Sequence, residues 1–257
     1  MVCPTDTIIS GSNSSAPDAV IAKPTYFESM GEESLARRYV RRNKNAEEVV
    51  FEFTRDPGMI HQCFGSNGIY ERENRLLIND MAAFRASEAE YNSKSHVLIA
   101  RVGNFCVGGA RLTVSSPRKP QRLPMENNEF RVQSHFEKLK NNELAYAEMS
   151  GLVLLEEYRT GEFTRNILMH SYRKAEALGV YVCFAAAPLI NGRLYKKCFS
   201  SLGLQDMKIY DNVRIPAYPG FVEESDSSKD HLLSLIIDRK IELKDNIASS
   251  LSNKEEA

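Results

Sequence analysis

The chain has no surplus of charge of either sign: 33 Lys and Arg stand against 34 Asp and Glu, a formal net charge of −1. So even a balance gives no long-range pull toward a phosphate backbone, and nucleic acid is not an expected partner. Long apolar runs are also missing, and none reaches the ~18 residues that a membrane span needs. Met1 to Ala22 is rich in Ser, Thr, Asn and Pro, with no basic start before an apolar core. A secretory signal is therefore not expected, and the cytoplasm is the expected location. Cysteine is sparse: Cys3, Cys63, Cys106, Cys183 and Cys198 form no CxxC pair and have no nearby His to complete a metal set. We read all five as reduced and structural, and expect no metal site. A Gly-x-Ser-x-Gly elbow, a Ser/His/Asp order and a Walker loop are all absent, as are internal repeats.

What is present is a 42% hydrophobic, 26% charged composition, ordinary for a globular domain, and a clear succession of elements. A strand is predicted over Glu48–Thr54, and Asp56-Pro57 supplies an N-cap and a first-turn proline for a helix toward Ile78, interrupted near Gly65 and Gly68. Strands over Ser95–Arg101 and Phe105–Val114 are joined by a Gly103-Asn104 hairpin turn. After a loop and a helical piece near Ser134–Lys140 comes the most informative segment, Tyr146-Ala-Glu-Met-Ser-Gly-Leu-Val-Leu-Leu155. This apolar strand carries a single charge, Glu148, and breaks at an Arg159-Thr160-Gly161 turn that opens a helix to Leu178. A strand ending where backbone N–H groups crown a helix is a phosphate-binding arrangement, and also an ordinary strand-to-helix connection. Val180–Ala186, Pro188–Leu202 and Met207–Ile215 read as strand, helix and strand, with Gly179 and Gly203 closing the two helices. His231 to Asn246 is expected to be a tail helix whose Leu233, Ile236, Ile237 and Ile241 pack on the domain or on a second copy, giving a possible homodimer. The class is α+β, with residues 1–45 as a polar arm, 46–216 as one domain and 217–257 as helix and polar tail.

This order of strand, helix, hairpin, long strand, helix, strand, helix and strand resembles the GNAT acyltransferases over roughly residues 47–215. The resemblance implies a mixed, largely antiparallel sheet flanked by helices, with an acyl-pantetheine arm lying in a gap between strands 144–155 and 180–186. The family's diphosphate loop reads Q/R-x-x-G-x-G/A; here Arg159 stands one residue too close to Gly161, and Phe163 replaces the last small residue. Where the family places a general-acid Tyr the chain has Phe199, with Tyr195 one turn earlier. The branch it resembles more is that of the acyl-homoserine-lactone (LuxI-type) and long-chain N-acyl amino acid (FeeM-type) synthases. Carrying that likeness are Glu88-Ala-Glu-Tyr-Asn-Ser-Lys-Ser-His96, similar to an acidic loop before the second strand, and Val107-Gly-Gly-Ala-Arg111-Leu112. The loop Pro120–Phe130 and Glu148-Met-Ser-Gly151 add to it, with Gly151 where the branch has an Arg.

The resemblance implies a fatty acyl group moved from acyl carrier protein, or from acyl-CoA, to the amine of an amino acid or similar small molecule, with no tightly bound cofactor. Strand alternation puts Glu148, Ser150 and Leu152 on one face, opposite Ala147, Met149 and Gly151. A carboxylate there needs a partner, and Arg111 on the neighbouring strand is the expected one. That pair is either a structural tie or a catalytic one, with Glu148 taking the proton that an ammonium must lose before it can attack. Leu152, Val153 and Leu154 would hold the donor arm and Arg159, Thr160 and Gly161 its phosphate, while Ser150, Glu88, His96 and Tyr195 would support the amine. The basic run Arg37–Arg42 would dock the acidic carrier protein. An acetyl-CoA-dependent enzyme and an inactive binding module are the alternatives.

Overall fold

The structure is a computed structural model that describes residues 49–141, 143–222 and 230–238. Residues 1–48, and with them the Arg37–Arg42 run, lie outside the described residues. From Val50 the elements alternate. β1 (Val50–Thr54) leads into α1 (Pro57–Phe64), whose cap Asp56 accepts a hydrogen bond from the Met59 N–H at 2.8 Å. A short α2 (Ile69–Glu73) and a 3-10 turn (Arg75–Leu77) follow, and then α3 (Met81–Lys94), started by Asp80 accepting from the N–H groups of Ala82 and Ala83. The segment Glu88–Lys94 is therefore helix, not the acidic loop expected; the capping Asp and the alanine-rich first turn outweigh its polar composition.

β2 (His96–Val102) and β3 (Phe105–Ser115) form the hairpin, with Gly103 at φ 57° in its turn. After a short α4 (Val132–His135) come β4 (Tyr146–Leu154), α5 (Gly161–Ala177), β5 (Val182–Ala187), α6 (Leu189–Ser201), β6 (Met207–Arg214) and β7 (His231–Ile236). The seven strands form one sheet in the order β1-β2-β3-β4-β5-β7-β6, antiparallel throughout except for β4 beside β5.

The expected tail helix over 231–246 is, as far as it is described, the strand β7, and residues beyond 238 lie outside the described residues. Leu232, Leu233, Ser234 and Leu235 are all buried, so both faces of the strand are covered. A contiguous apolar run of this length has no period that tells a buried strand from a buried helix. β7 pairs with both β5 and β6, which extends the domain past the expected boundary at 216. Helices α1–α3 pack on one face of the sheet, while α5 and α6 cover the other. Cys63, Cys106, Cys183 and Cys198 are free and buried, and no described helix is long and apolar enough to cross a membrane.

Two irregularities shape the centre of the sheet. β4 and β5 pair only over Tyr146–Glu148 and Val182–Phe184, and beyond that β5 follows β7 while β4 follows β3, so the two strands part. In β4 the register against β3 slips between Gly109 and Arg111, so that two residues, Gly151 and Leu152, oppose Ala110 alone. Gly151 has φ +63°, the left-handed conformation that such a bulge requires and glycine supplies without strain. The extra residue resets the alternation. Leu152 packs with Ala147 and Met149 against α5 and α6, not on the Glu148 face as the sequence pattern predicts.

Candidate active site

The parting of β4 from β5 opens a cavity of about 520 Å³ that runs through the sheet. On the α5/α6 side its walls include Leu152, Ile167, Leu168, Tyr195 and Phe199. On the α1–α3 side they include Tyr70, Glu88, Tyr91, Arg111, Tyr218 and Asp230. Between the two lie Met149–Gly151 of β4 and Ala185–Ala187 of β5. Where β5 has left it, the β4 edge has no strand partner among the described residues, and extended groups can pair with it there.

Glu148 is fully buried and makes two hydrogen bonds: Oε2 accepts the Met125 N–H at 2.8 Å, and Oε1 accepts the Tyr218 hydroxyl at 3.0 Å. Burial pushes its carboxyl up to about 7, while those two donors and the more distant Arg111 pull the other way. Met125 is held in place by the buried Glu126, whose carboxylate accepts the N–H groups of Leu123 and Val132 and so fixes the loop. Glu148 does not line the cavity. Tyr218 does, and its hydroxyl joins the carboxylate to the open space.

Arg111 is not the partner of Glu148. The register sets Arg111 opposite Ser150 and Thr113 opposite Glu148, and α3 delivers Glu88 to the guanidinium instead. The pairing is bidentate, Nη1 to Oε2 at 2.9 Å and Nη2 to Oε1 at 3.0 Å, and both side chains are buried. Phe64, Tyr70 and Tyr91 surround the guanidinium with ring centroids 4.7, 5.3 and 5.7 Å from its carbon. Burial works against its charge, but Glu88 more than compensates and holds its pKa above the ordinary value. Gly151 completes this arrangement: a Cβ there would meet Arg111 Nη2 at 2.7 Å and Nε at 2.9 Å. The space freed by the missing side chain is thus filled by the Arg111 head group.

The expected phosphate turn is only partly available. Arg159 donates from Nε to the Leu154 carbonyl at 3.0 Å and forms an ion pair with Glu73, so its charge already has a carboxylate. Thr160 caps α5 by accepting the Phe163 N–H at 3.4 Å, and Gly161 stands in open space. The Phe163 ring packs on Tyr158 and Phe51, and Glu162 puts an acid in the first turn, where an anion would meet repulsion. Val153 and Leu154 are buried in the ladder opposite Gly109 and Gly108, and of the three expected donor-arm residues only Leu152 lines the cavity. Ser150 and Tyr195 line it as well.

His96 is not brought to the site. It starts β2 opposite Leu112, and burial followed by the charges of Lys174, Arg55 and Lys119 lowers its pKa. The sequence reading missed Tyr70, Tyr91 and, above all, Tyr218. Tyr218 belongs to a strap, Pro216–Val222, tied across the α1–α3 side: the Gly220 carbonyl accepts the N–H groups of Asn79 and Asp80 at 2.9 and 3.1 Å. A Cβ at Gly220 would lie 2.4 Å from the Phe84 nitrogen, and its φ of +84° again calls for glycine. The Tyr-Pro-Gly-Phe sequence at 218–221 was the available signal, a turn between two aromatics.

No family model matches the chain, and no curated protein matches its sequence. Solved structures do match in shape. An agmatine N-acetyltransferase, in a substituted form without ligand, gives a TM-score of 0.50 at 10% identity over 74% of this chain and 100% of that one. FeeM, an N-acyl amino acid synthase from uncultured soil microbes, gives 0.49 at 10% identity over 75% and 92%. Arylalkylamine N-acetyltransferase 2 from Aedes aegypti gives 0.45 at 13% identity over 74% and 100%. At 10% identity the first of these likenesses is one of architecture: the chain has the fold of the GNAT acyltransferases.

Proposed function

We propose that the protein is an N-acyltransferase that moves an acyl group from a phosphopantetheine thioester to the amine of a small molecule. The observation that carries this reading is the cavity through the parted β4 and β5, with a free strand edge on one side and a Tyr218–Glu148 hydrogen bond on the other. The pantetheine arm lies along β4 near Leu152, where backbone groups without a strand partner can bind its amides and polarise the thioester carbonyl. The amine enters from the Tyr70 and Tyr91 side.

An ammonium must lose a proton before its nitrogen can attack, and a carboxylate poised at about 7 is matched to that task near neutral pH. Glu148 acts through Tyr218, whose hydroxyl passes the substrate proton inward. The C–N bond then forms as the C–S bond breaks. Of the two protons that the ammonium loses, one leaves by Tyr218 and the other balances the one that Tyr195 delivers to the departing sulfur. The products are an amide, a free thiol and one proton.

For the donor we propose acyl carrier protein ahead of CoA. The engagement of Arg159 by Glu73, together with Glu162 in the first turn of α5, leaves little to hold a nucleotide diphosphate, whereas the Gly161 end can meet a single phosphate. The test is thiol release from acylated carrier protein and from the matching acyl-CoA in the presence of an amine mixture, with N-acyl products identified by mass spectrometry. Thiol release accompanied by amide supports the reading. No amide from either donor with any amine would sink it and favour a binding module.

A further inference from the structure

We propose, resting on the acyltransferase reading above, that the acceptor is a primary amine with no carboxylate, carrying an aromatic or otherwise apolar body. Among the described residues lining the cavity, the charged ones are Glu88, Glu129, Asp230 and Arg111, three acids and one base. An amino acid brings an ammonium and a carboxylate, and a carboxylate in a site closed off from water is best held by a cation. Arg111 cannot serve. Both of its terminal nitrogens are taken by Glu88, ring faces cover the guanidinium, and it is 2% exposed. Its Nε has no partner but is sealed inside the protein, against the backbone of Gly151. Drawing Arg111 away to a ligand would leave Glu88 buried without its counter-charge, a heavy cost.

The remaining charges point the same way. Glu129 and Asp230 add negative potential to the space, and Glu148 stands behind Tyr218. Tyr70 and Tyr218 both lie within the electrostatic reach of Asp230. In a low-dielectric cavity such a field attracts an ammonium and repels a carboxylate. The body of the ligand has an equally definite environment. Tyr70 stacks on Phe84 at 6.1 Å, Phe84 meets Phe221 edge-on at 5.4 Å, and Phe221 meets Tyr218 at 6.4 Å. Three of these rings, those of Tyr70, Phe221 and Tyr218, line the cavity and give a continuous apolar wall with hydroxyls at intervals.

Amines and amino acids that differ by one carboxylate test this directly. The full chain is titrated calorimetrically with tyramine and tyrosine, then with phenethylamine and phenylalanine, alone and with an unreactive thioether of pantetheine. Thiol release from acylated carrier protein and acyl-CoA is followed with the same four compounds. Each amine is expected to bind at least about tenfold more tightly than its amino acid, a difference of about 1.4 kcal/mol. Asp230→Asn should narrow that gap while leaving the binding of the thioether unchanged. Preferential binding of the amines without thiol release from either donor would overturn the acyltransferase reading and leave the ligand class standing. Acylation of tyrosine or phenylalanine as fast as of the amines would overturn the ligand class and leave the reading standing. Absence of binding by any of the four would overturn the proposal.

Discussion

On the donor side of the cavity the walls come from long regular elements: Leu152 from β4, Ile167 and Leu168 from α5, Tyr195 and Phe199 from α6. On the acceptor side they come from short helices and irregular chain, with Tyr70 on a five-residue helix and Tyr218 and Phe221 on the strap. The first side is mostly apolar and held by sheet and helix packing; the second is held by a buried ion pair, a buried carboxylate and their donors. On the function proposed above, the contrast teaches that thioester binding would be left to generic architecture, whereas the choice of amine would rest on polar groups that each depend on a partner. A packed apolar wall tolerates change in proportion to the volume lost, but a buried charge tolerates the loss of its partner badly.

Removing Glu88 is the harshest test of that difference. Glu88→Ala leaves Arg111 buried and unpaired and should cost about 3–5 kcal/mol in urea unfolding. Replacing both partners, Glu88→Leu with Arg111→Met, should cost far less, since no orphan charge remains. A single substitution costing no more than the double would show that the pair is not the tie described.

Next comes Glu148→Gln. Activity should fall by about a hundredfold or more, and the dependence of the wild-type rate on pH, rising through about 7 as the carboxylate ionises, should vanish. Stability moves oppositely. From the ordinary 4.5 up to about 7 the unfolded chain releases this proton while the native chain keeps it, so the native state loses stability as pH rises across that window and then levels off. The total is about 3 kcal/mol. In Glu148→Gln this decline should be absent, read from urea midpoints at about pH 5 and about pH 8. Equal declines in both proteins would show that the carboxylate is not held up by burial.

Gly151→Ala should be milder, about 1–3 kcal/mol from the left-handed backbone and the crowding of Arg111. Because the strain falls on the acceptor side, amine binding should weaken more than donor binding. Thr160→Ala should be the mildest. It removes a long cap bond on the donor side, costs about 0.5 kcal/mol by thermal melting, and leaves the preference among amines unchanged.

The sequence made the donor side legible because its elements carry their own punctuation. Gly103-Asn104 turns the central hairpin, and Gly179 and Gly203 follow the ends of α5 and α6. On the acceptor side Asp56 and Asp80 start α1 and α3, but no local marker says which side chains meet there. Arg111 and Glu88 are joined by a strand register and a helix docking that no local pattern encodes, so strand adjacency pointed to Glu148 instead. Leu152 was assigned to the wrong face because one left-handed residue, Gly151, reverses the alternation after it. Tyr218 looked like part of a tail because β7, which returns to lie between β5 and β6, shares its apolar spacing with a helix.

That return has a consequence for how the molecule is made. Among the described strands β6 pairs with β7 alone, so a growing chain that has just completed β6 holds a strand whose partner is not yet made. The strap bearing Tyr218 lies between those two strands, and its anchor at Asn79 and Asp80 was synthesised long before. Insertion of β7 beside β5 and closure of the Tyr218 strap are therefore expected late in biosynthesis, built on contacts of great sequence separation. A ribosome stalled after β6 should carry a chain whose β1–β5 amides are protected from hydrogen exchange while those around Asp80 are not, and early protection at Asp80 would contradict this order.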